Sequence, residues 1–222
     1  QQPGKVVLEI DHVSKSYDDK LILKDVSLLV ERGSNIAFVG QNGQGKTTLA
    51  KMIIGEIPYE GSIRLGHNVE ICYFAQNQAH YLDGELTLLD TMLNAANDSN
   101  RIKVRDILGA FLFRGDEVEK KVKVLSGGER NRLALAKMLL SSFNVLVMDE
   151  PTNHLDIASK NVLKQALQRF EGTLIIVSHD RDFLTGLTDK VYEFKNHTIK
   201  EYLGDIDFYL EQRAVSSFRE IE

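Results

Sequence analysis

The stretch Gly40-Gln-Asn-Gly-Gln-Gly-Lys-Thr47 decides the fold of this chain. It fits the pattern G-x-x-x-x-G-K-[ST], in which glycines let the backbone curl around phosphate oxygens and point its N–H groups at them. The apolar run Ile36 to Val39 precedes the loop, and Leu49 and Met52 follow it at helical spacing. This order of strand, loop and helix is the context that the pattern requires. We therefore predict a phosphate-binding loop, with a helix that begins at Thr47.

The loop also predicts the roles of its side chains. Lys46 is expected to meet the β- and γ-phosphates of a nucleotide, and Thr47 to supply a hydroxyl for Mg²⁺. The positive N-terminal end of the helix would point at the triphosphate. The residues that the motif assigns to ATP binding are Gly40, Gln41, Asn42, Gly43, Gln44, Gly45, Lys46, Thr47 and Thr48.

A second phrase places two carboxylates where they can act on that nucleotide. The apolar run Val145 to Met148 ends in Asp149 and Glu150. Such a strand is buried on both faces and delivers the residues after it to the carboxyl edge of a parallel sheet, where ligands bind. Asp149 is expected to hold the Mg²⁺ shell, and Glu150 to polarise the water that attacks the γ-phosphate.

Composition places the chain among ordinary globular proteins. It has 222 residues, 43% hydrophobic and 27% charged, enough for one domain or at most two. Cys72 is the single cysteine, which excludes a disulfide framework and a cysteine metal site. No stretch reaches the roughly 18 apolar residues of a membrane span, and the N-terminus lacks the apolar region of a signal peptide. We expect a cytoplasmic domain without direct membrane insertion, excised from a longer protein because no Met starts it.

Charge is unevenly distributed along the chain. The net charge is −5, which argues against a uniformly nucleic-acid-coating surface. The segment from Arg101 to Lys137 nevertheless carries ten Lys and Arg against five Asp and Glu. This excess indicates either a basic binding face or a solvated helical surface, and both readings stay open.

Apolar spacing along the chain predicts an α/β organisation. Short strands and glycines fill the first third, helical spacing fills the middle, and strand and helix alternate in the last third. The predicted strands are Val6 to Ile10, Val26 to Val30, Ser62 to Leu65, Glu70 to Phe74, Val145 to Met148 and Thr173 to Val177, and the predicted helices are Leu86 to Ala96, Ile102 to Leu112, Arg130 to Leu140 and Ile157 to Phe170.

Motifs in a fixed order resemble an ABC-type ATPase over nearly the whole chain. The resemblance implies a P-loop NTPase fold with a mostly parallel core sheet, an N-terminal antiparallel β part and an inserted helical subdomain that carries the signature. It gives one domain over 1–222, with its core at 1–80 and 141–222 and the helical subdomain at about 81–140. The matching motifs are the P-loop Gly40 to Thr48, Q-loop Gln76, signature Leu125-Ser126-Gly127-Gly128-Glu129, Walker B Val145 to Glu150, D-loop Leu155-Asp156 and switch His179.

The resemblance assigns further roles. Tyr17 would stack on the adenine, and His179, after the apolar run Thr173 to Val177, would sense the γ-phosphate. Gln76 would reach Mg²⁺ and the attacking water; Gln78 lies close by as a competing residue, but the wording Tyr-Phe-Ala-Gln favours Gln76. By this reading the catalytic residues are Glu150, His179 and Gln76, and the metal residues are Thr47, Gln76 and Asp149.

The signature implies a partner. Ser126, Gly127 and Gly128 are expected to open a helix, and in the family this loop closes over the ATP of a second ABC domain. The resemblance thus implies a head-to-tail pair, with the second domain in the same full-length chain or in another copy of this one. The chain alone would be an incomplete enzyme.

The wording Asp149-Glu-Pro-Thr-Asn-His-Leu-Asp156 is similar to the ABC-F subfamily, soluble proteins with two ABC domains. Glu129, where transporter domains more often carry Gln, points the same way. The short stretch between Gln76 and Leu125 leaves no room for an arm, so the second ABC-F domain is the better match. A role on the ribosome or its RNA follows from the subfamily. The alternative is the ATPase subunit of a membrane transporter, whereas DNA-repair ATPases carry a long insertion that is missing here.

Overall fold

The computed structural model describes residues 3–213, apart from the side chain of Gln76. These residues form two compact units. Unit 1 consists of 3–73, 143–151 and 171–213, and unit 2 of Phe74–Ser142 and Thr152–Phe170. The sequence predicts a helical subdomain at about 81–140, whereas unit 2 also takes in the segment that follows the Walker B strand.

The strands in chain order are Val6–Tyr17 (β1), Lys20–Glu31 (β2), Asn35–Val39 (β3), Glu60–Leu65 (β4), Ile71–Phe74 (β5), Val145–Asp149 (β6), Thr173–Val177 (β7), Lys190–Lys195 (β8) and Thr198–Tyr202 (β9). The α-helices are Lys46–Ile53 (α1), Leu88–Ala95 (α2), Val104–Ala110 (α3), Gly127–Met138 (α4), Ile157–Gln168 (α5), Arg181–Leu184 (α6) and Ile206–Gln212 (α7). Short 3₁₀ helices cover Gln76–Tyr81, Arg101–Lys103, Gly115–Glu119 and Val122–Val124. Within the described residues, no helix is long and apolar enough to cross a membrane.

A six-stranded sheet of order β5-β6-β7-β3-β8-β9 forms the centre of unit 1. The pairs β6/β7, β7/β3 and β3/β8 are parallel, and the hairpin β8/β9 is antiparallel. Every residue of β6 and β7 is buried, which explains why these strands are continuous apolar runs. The predicted α/β fold with a mostly parallel sheet is confirmed, and the carboxyl ends of β3, β6 and β7 share one edge.

A three-stranded antiparallel sheet of order β2-β1-β4 makes up the N-terminal part of unit 1, as predicted. Strands β1 and β2 extend beyond the apolar runs from which they were predicted. Irregular pairing separates Ile10 from Val13, and His12 and Asp25 have φ of 49° and 51°. Such bulges break the alternation of apolar residues from which strand length is predicted. Asp25 accepts a hydrogen bond from the His12 ring and thereby raises the pKa of His12.

Unit 2 is mainly helical and packs α4 against α2, α3 and the 3₁₀ helix at Gln76–Tyr81. Its buried side chains include Leu88, Met92, Leu108 and Leu133. Helix α4 begins at Gly127 rather than at Arg130, where its apolar face alone placed the start, because a cap sets its first residue. The helix predicted over Ile102 to Leu112 is a 3₁₀ turn followed by α3.

Candidate active site

Glycines shape the loop between β3 and α1. Gly40 has φ of 135°, and a Cβ there would lie 2.4 Å from the carbonyl oxygen of Phe194. Gly45, with φ of 102°, is the N-cap of α1, so it has no side chain that could occupy the first N–H groups of the helix. The helix begins at Lys46, one residue before the predicted Thr47. The loop thus has the backbone form of a phosphate cradle.

Lys46 and His179 meet beside this loop, within unit 1. Lys46 is 5% exposed, its ammonium donates to the carbonyl of Gly40, and its Nζ lies 2.8 Å from Nε2 of His179. The same Nε2 is 3.1 Å from Oδ1 of Asn42 and 3.2 Å from Oε1 of Glu150. A neutral Nε2 accepts from Lys46, and a protonated Nε2 donates to Asn42 or Glu150. One ring nitrogen therefore links the loop to the carboxylate.

Glu150 follows β6 in a strained conformation. Its φ is 48°, a left-handed value that a residue with a Cβ rarely adopts. Its backbone N–H donates to the carbonyl of Val177 at 2.8 Å, which ties the turn after β6 to the end of β7. Strain of this kind persists where the surroundings enforce it, and it concentrates at functional sites. Here it turns the Glu150 side chain toward His179.

Asp149 ends β6 and is 8% exposed. The hydroxyl of Tyr73, on β5, donates to its Oδ2 at 3.3 Å. Burial, followed by the negative charge of Asp149, raises the pKa of Tyr73 well above its ordinary value. The phenol is therefore a hydrogen-bond donor throughout the neutral range.

The remaining predicted residues of unit 1 lie at its surface. Thr47 is exposed and Thr48 half-buried. Tyr17 is 47% exposed at the end of β1, and Lys15 places its ammonium 4.9 Å from the ring centroid. Unit 1 therefore contains the loop residues Gly40 to Thr48 together with Tyr17, Asp149, Glu150 and His179.

Gln76 begins the 3₁₀ helix Gln76–Tyr81 in unit 2. Its side chain lies outside the described part of the structure, and its predicted contact with Mg²⁺ and water stays a prediction. The backbone of Gln78 donates to Ala75 within the same turn.

The signature forms the capped start of α4. Ser126 is the N-cap, and its hydroxyl accepts from the N–H of Glu129 at 3.2 Å. The Glu129 carboxylate accepts from the N–H of Ser126 at 2.9 Å, which completes a capping box. These hydrogen bonds lower the pKa of Glu129. Since α4 starts at Gly127 with Ser126 as its N-cap, the predicted helix opening at Ser126 to Gly128 is confirmed. Leu125 is buried, whereas Gly127 is exposed.

A cavity of about 670 Å³ lies beside this helix end within unit 2. Gly127, Gly128 and His154 line it together with Asn131. Asn131 is 8% exposed, and its Oδ1 has no hydrogen-bond partner among the described residues. The cavity and the exposed start of α4 thus lie side by side on unit 2.

The D-loop precedes α5 in unit 2. Leu155 is buried, and Asp156 caps α5 by accepting from the N–H of Ser159 at 2.7 Å. Hydrogen bonding from Ser159, first from its side chain and then from its backbone N–H, lowers the pKa of Asp156. Arg132 of α4 reaches the same place: its Nη1 donates to the Ser159 hydroxyl at 3.3 Å, and its guanidinium lies 4.4 Å from the centre of the Phe113 ring.

Sequence reasoning missed three of these residues. It gave no role to Tyr73, because no local pattern shows that β5 lies beside β6. It gave none to Arg132, whose position in α4 looks like an ordinary charged helix surface. It placed Asn42 in the loop but not at the His179 ring, and that pairing depends on residues far apart in the chain.

Comparison with known proteins agrees with this geometry. The ABC transporter family matches residues 23–153. The chain is 42% identical to ABC transporter F family member 5 of Arabidopsis thaliana over 221 residues, which is 99% of this chain and 32% of that protein. It is 44% identical to the putative ATP-binding protein YdiF of Bacillus subtilis over 96% of this chain and 34% of that one. The chain thus spans about a third of the length of these curated relatives.

A solved structure described as the ATP-binding subunit of an ABC transporter has the same fold. Its TM-score with this chain is 0.80, each chain is covered to 97%, and the identity is 21%. The ATP-binding protein Uup of Haemophilus influenzae is 44% identical over 95% of this chain and 33% of its own length. The predicted resemblance to ABC ATPases, with ABC-F proteins among the similar sequences, is confirmed. The chain belongs to the ABC transporter family, as one of its ATP-binding domains.

Proposed function

We propose that this domain binds Mg²⁺–ATP on unit 1 and hydrolyses it in a pair with a second ABC domain, within a longer ABC-F protein. ABC ATP-binding domains hydrolyse ATP; the assignment of the steps to residues is our proposal. The observation that supports it most is that Lys46 and Glu150 both lie within 3.2 Å of Nε2 of His179. A phosphate binder, a general base and a group that can sense phosphate then share one edge of the sheet.

The oxygen donors of this edge suit Mg²⁺. Thr47 offers a hydroxyl and Asp149 a carboxylate, and Gln76 adds an amide oxygen in our proposal. Mg²⁺ prefers oxygen ligands and is commonly held by one or two carboxylates together with substrate phosphates. Among the described residues, no cluster of three or more His, Cys, Asp or Glu could hold a metal by itself. When bound, Mg²⁺ would neutralise charge that develops on the phosphates.

The other residues divide the remaining work. The N–H groups of the loop and the start of α1 bind the β- and γ-phosphates, and Lys46 leaves Gly40 and His179 to meet them. Glu150 accepts a proton from the attacking water. His179, released from Lys46, turns to the γ-phosphate, and Tyr17 offers its exposed ring to the adenine.

The signature would act on the nucleotide of the second domain. The start of α4 is exposed at Gly127 and presents a helix N-terminus to anions. The second domain lies in the same full-length chain or in another copy, and ATP binding and hydrolysis would drive the association and separation of the two. We further propose a cytoplasmic location.

Trapping the pair tests this function. The Glu150→Gln variant should bind ATP without hydrolysing it and elute from a sizing column as a dimer in saturating Mg²⁺–ATP, but as a monomer in ADP. A matched control is Glu150→Gln with Gly127→Asp. Nothing lies within 4 Å of a Cβ added at Gly127, so the new carboxylate fits but repels phosphate, and this variant should stay monomeric. A monomeric Glu150→Gln variant in saturating ATP would overturn the paired arrangement for this chain.

We also propose that the full-length protein associates with the ribosome, and exposed positive charge on unit 2 supports this. Arg101, Lys103 and Arg105 are exposed around Ile102, which is 86% exposed. Further along the segment, positive charge is partly neutralised, because Lys121 and Lys123 both pair with Glu85, at 3.3 and 3.2 Å.

Charge reversal tests this part. Arg101→Glu with Lys103→Glu should weaken co-sedimentation with ribosomes and flatten its salt dependence, because phosphate contacts release counterions. Reversal of Lys121, already paired with Glu85, should have a smaller effect. Binding that ignores both salt and charge reversal would contradict the RNA contact.

A further inference from the structure

Tyr73 has a contact that the roles described above do not use. Its hydroxyl donates to Oδ2 of Asp149 at 3.3 Å. The ring is half-buried on β5, and Asp149 is 8% exposed. A phenylalanine could fill the same place in a strand, so packing explains the ring but not the hydroxyl.

The two residues meet because β5 and β6 are held together at their beginnings. The side chain of Asn144, just before β6, accepts from the N–H of Glu70 at 2.8 Å. The N–H of Asn144 donates to the carbonyl of Glu70 at 2.9 Å. Strand residues advance by about 3.3 Å each, so the backbone of Tyr73, three residues after Glu70, stops short of Asp149, which lies five residues after Asn144. The long side chain of Tyr73 spans this difference and brings its hydroxyl to Oδ2 of Asp149. The contact is therefore built into the register of the sheet.

A hydrogen bond to one oxygen of a carboxylate restricts the rotation of that carboxylate about its bond to the rest of the side chain. Hydrogen bonds to ionised groups are stronger than neutral ones, and partners that hold a metal-binding carboxylate commonly affect metal affinity. We propose that Tyr73 is a positioning residue for the metal site: its hydroxyl fixes the Asp149 carboxylate in one orientation and so strengthens the binding of Mg²⁺–ATP over that of ATP alone. This inference rests on the assignment of Asp149 to Mg²⁺ in the proposed function.

The Tyr73→Phe variant tests the inference on the 222-residue chain. The measurement is the affinity for a fluorescent ATP analogue with Mg²⁺ and, separately, in EDTA. The ratio of the two affinities should fall about tenfold in the variant, while the affinity in EDTA stays within about twofold. A purely structural role would lower both affinities together, and that result would overturn the inference.

The chain offers a matched control. Tyr209 is buried, and its hydroxyl also donates to a carboxylate, that of Glu193. Tyr209→Phe makes the same chemical change in the same unit, but away from Asp149, and should leave the Mg²⁺ ratio at the wild-type value. If Tyr209→Phe changed the ratio as much as Tyr73→Phe, the effect would not come from Asp149.

A double-mutant comparison separates the possible failures. In the Asp149→Asn background, Tyr73→Phe should cause no further loss of the ratio, because the carboxylate that it positions is gone; an additive loss would overturn the inference. If ATP affinity of the wild type did not depend on Mg²⁺, the metal role of Asp149 in the proposed function would fail. If the wild type showed the dependence and Tyr73→Phe kept it, only the present inference would fail.

Discussion

The strained backbone of Glu150 should cost the protein measurable stability. Its φ of 48° places a residue with a Cβ in the left-handed region, where the conformational strain is about 1–2 kcal/mol. Replacement by Gly removes that strain but adds about 0.5–1 kcal/mol of backbone entropy. Comparison with Glu150→Ala cancels the loss of the contact with His179, because neither variant has the carboxylate. We expect Glu150→Gly to be more stable than Glu150→Ala by about 0.5–1 kcal/mol.

Urea unfolding of the two variants measures this difference directly. The control is the same pair of changes at Glu201, an exposed residue of β9 whose φ is not positive. There Gly should be less stable than Ala by about 0.5–1 kcal/mol, so the sign reverses between the two positions. A Gly variant at position 150 that is no more stable than the Ala variant would refute the strain, whatever the two do to activity.

Two further predictions concern local structure. Gly40→Ala places a Cβ 2.4 Å from the Phe194 carbonyl oxygen and should lower the unfolding free energy by about 1–3 kcal/mol, measured by thermal denaturation. Gly43→Ala, where nothing lies within 4 Å, should cost less; equal costs would contradict the steric argument. Asp156→Ala removes the cap of α5 and should cost about 1 kcal/mol at neutral pH, whereas Asp156→Asn should cost only a few tenths. Folding lowers the pKa of Asp156 below 3.8, so the stability that its charge contributes is present above that value and is lost as pH falls through the folded pKa. If the difference in unfolding free energy between wild type and Asp156→Ala grew on acidification, that result would argue against the cap.

Local chemistry made the nucleotide loop predictable from sequence. The glycines before Lys46, the apolar run before them and the helical spacing after them all depend on neighbouring residues. For α4 the two sequence signals disagreed: the apolar face placed the start at Arg130, three residues late, whereas the signature predicted a helix opening at Ser126 to Gly128. The capping box of Ser126 and Glu129 sets the observed start. The hairpin of β8 and β9 was missed as well. It turns at Asn196 and His197, whose φ values are positive, in a segment without glycine.

Contacts between residues on different strands could not be predicted from local sequence patterns. The pairing of Tyr73 with Asp149 and the gathering of Lys46 and Glu150 around His179 join strands that are far apart in sequence. The motif order indicated that these residues belong to one site, but not which atoms meet. The distances around Nε2 of His179 come from the parallel pairing of β3, β6 and β7, which no single segment encodes.

In the proposed function, Glu150 acts on the water that attacks ATP bound at the loop of this domain. The most direct measurement is phosphate release from saturating Mg²⁺–ATP, by the wild type and by Glu150→Gln, with nucleotide affinity determined in parallel. We expect hydrolysis to fall by about 10²–10⁴-fold while ATP affinity changes by less than about threefold. A Glu150→Gln variant that hydrolyses ATP at the wild-type rate would contradict the role of Glu150 as the general base.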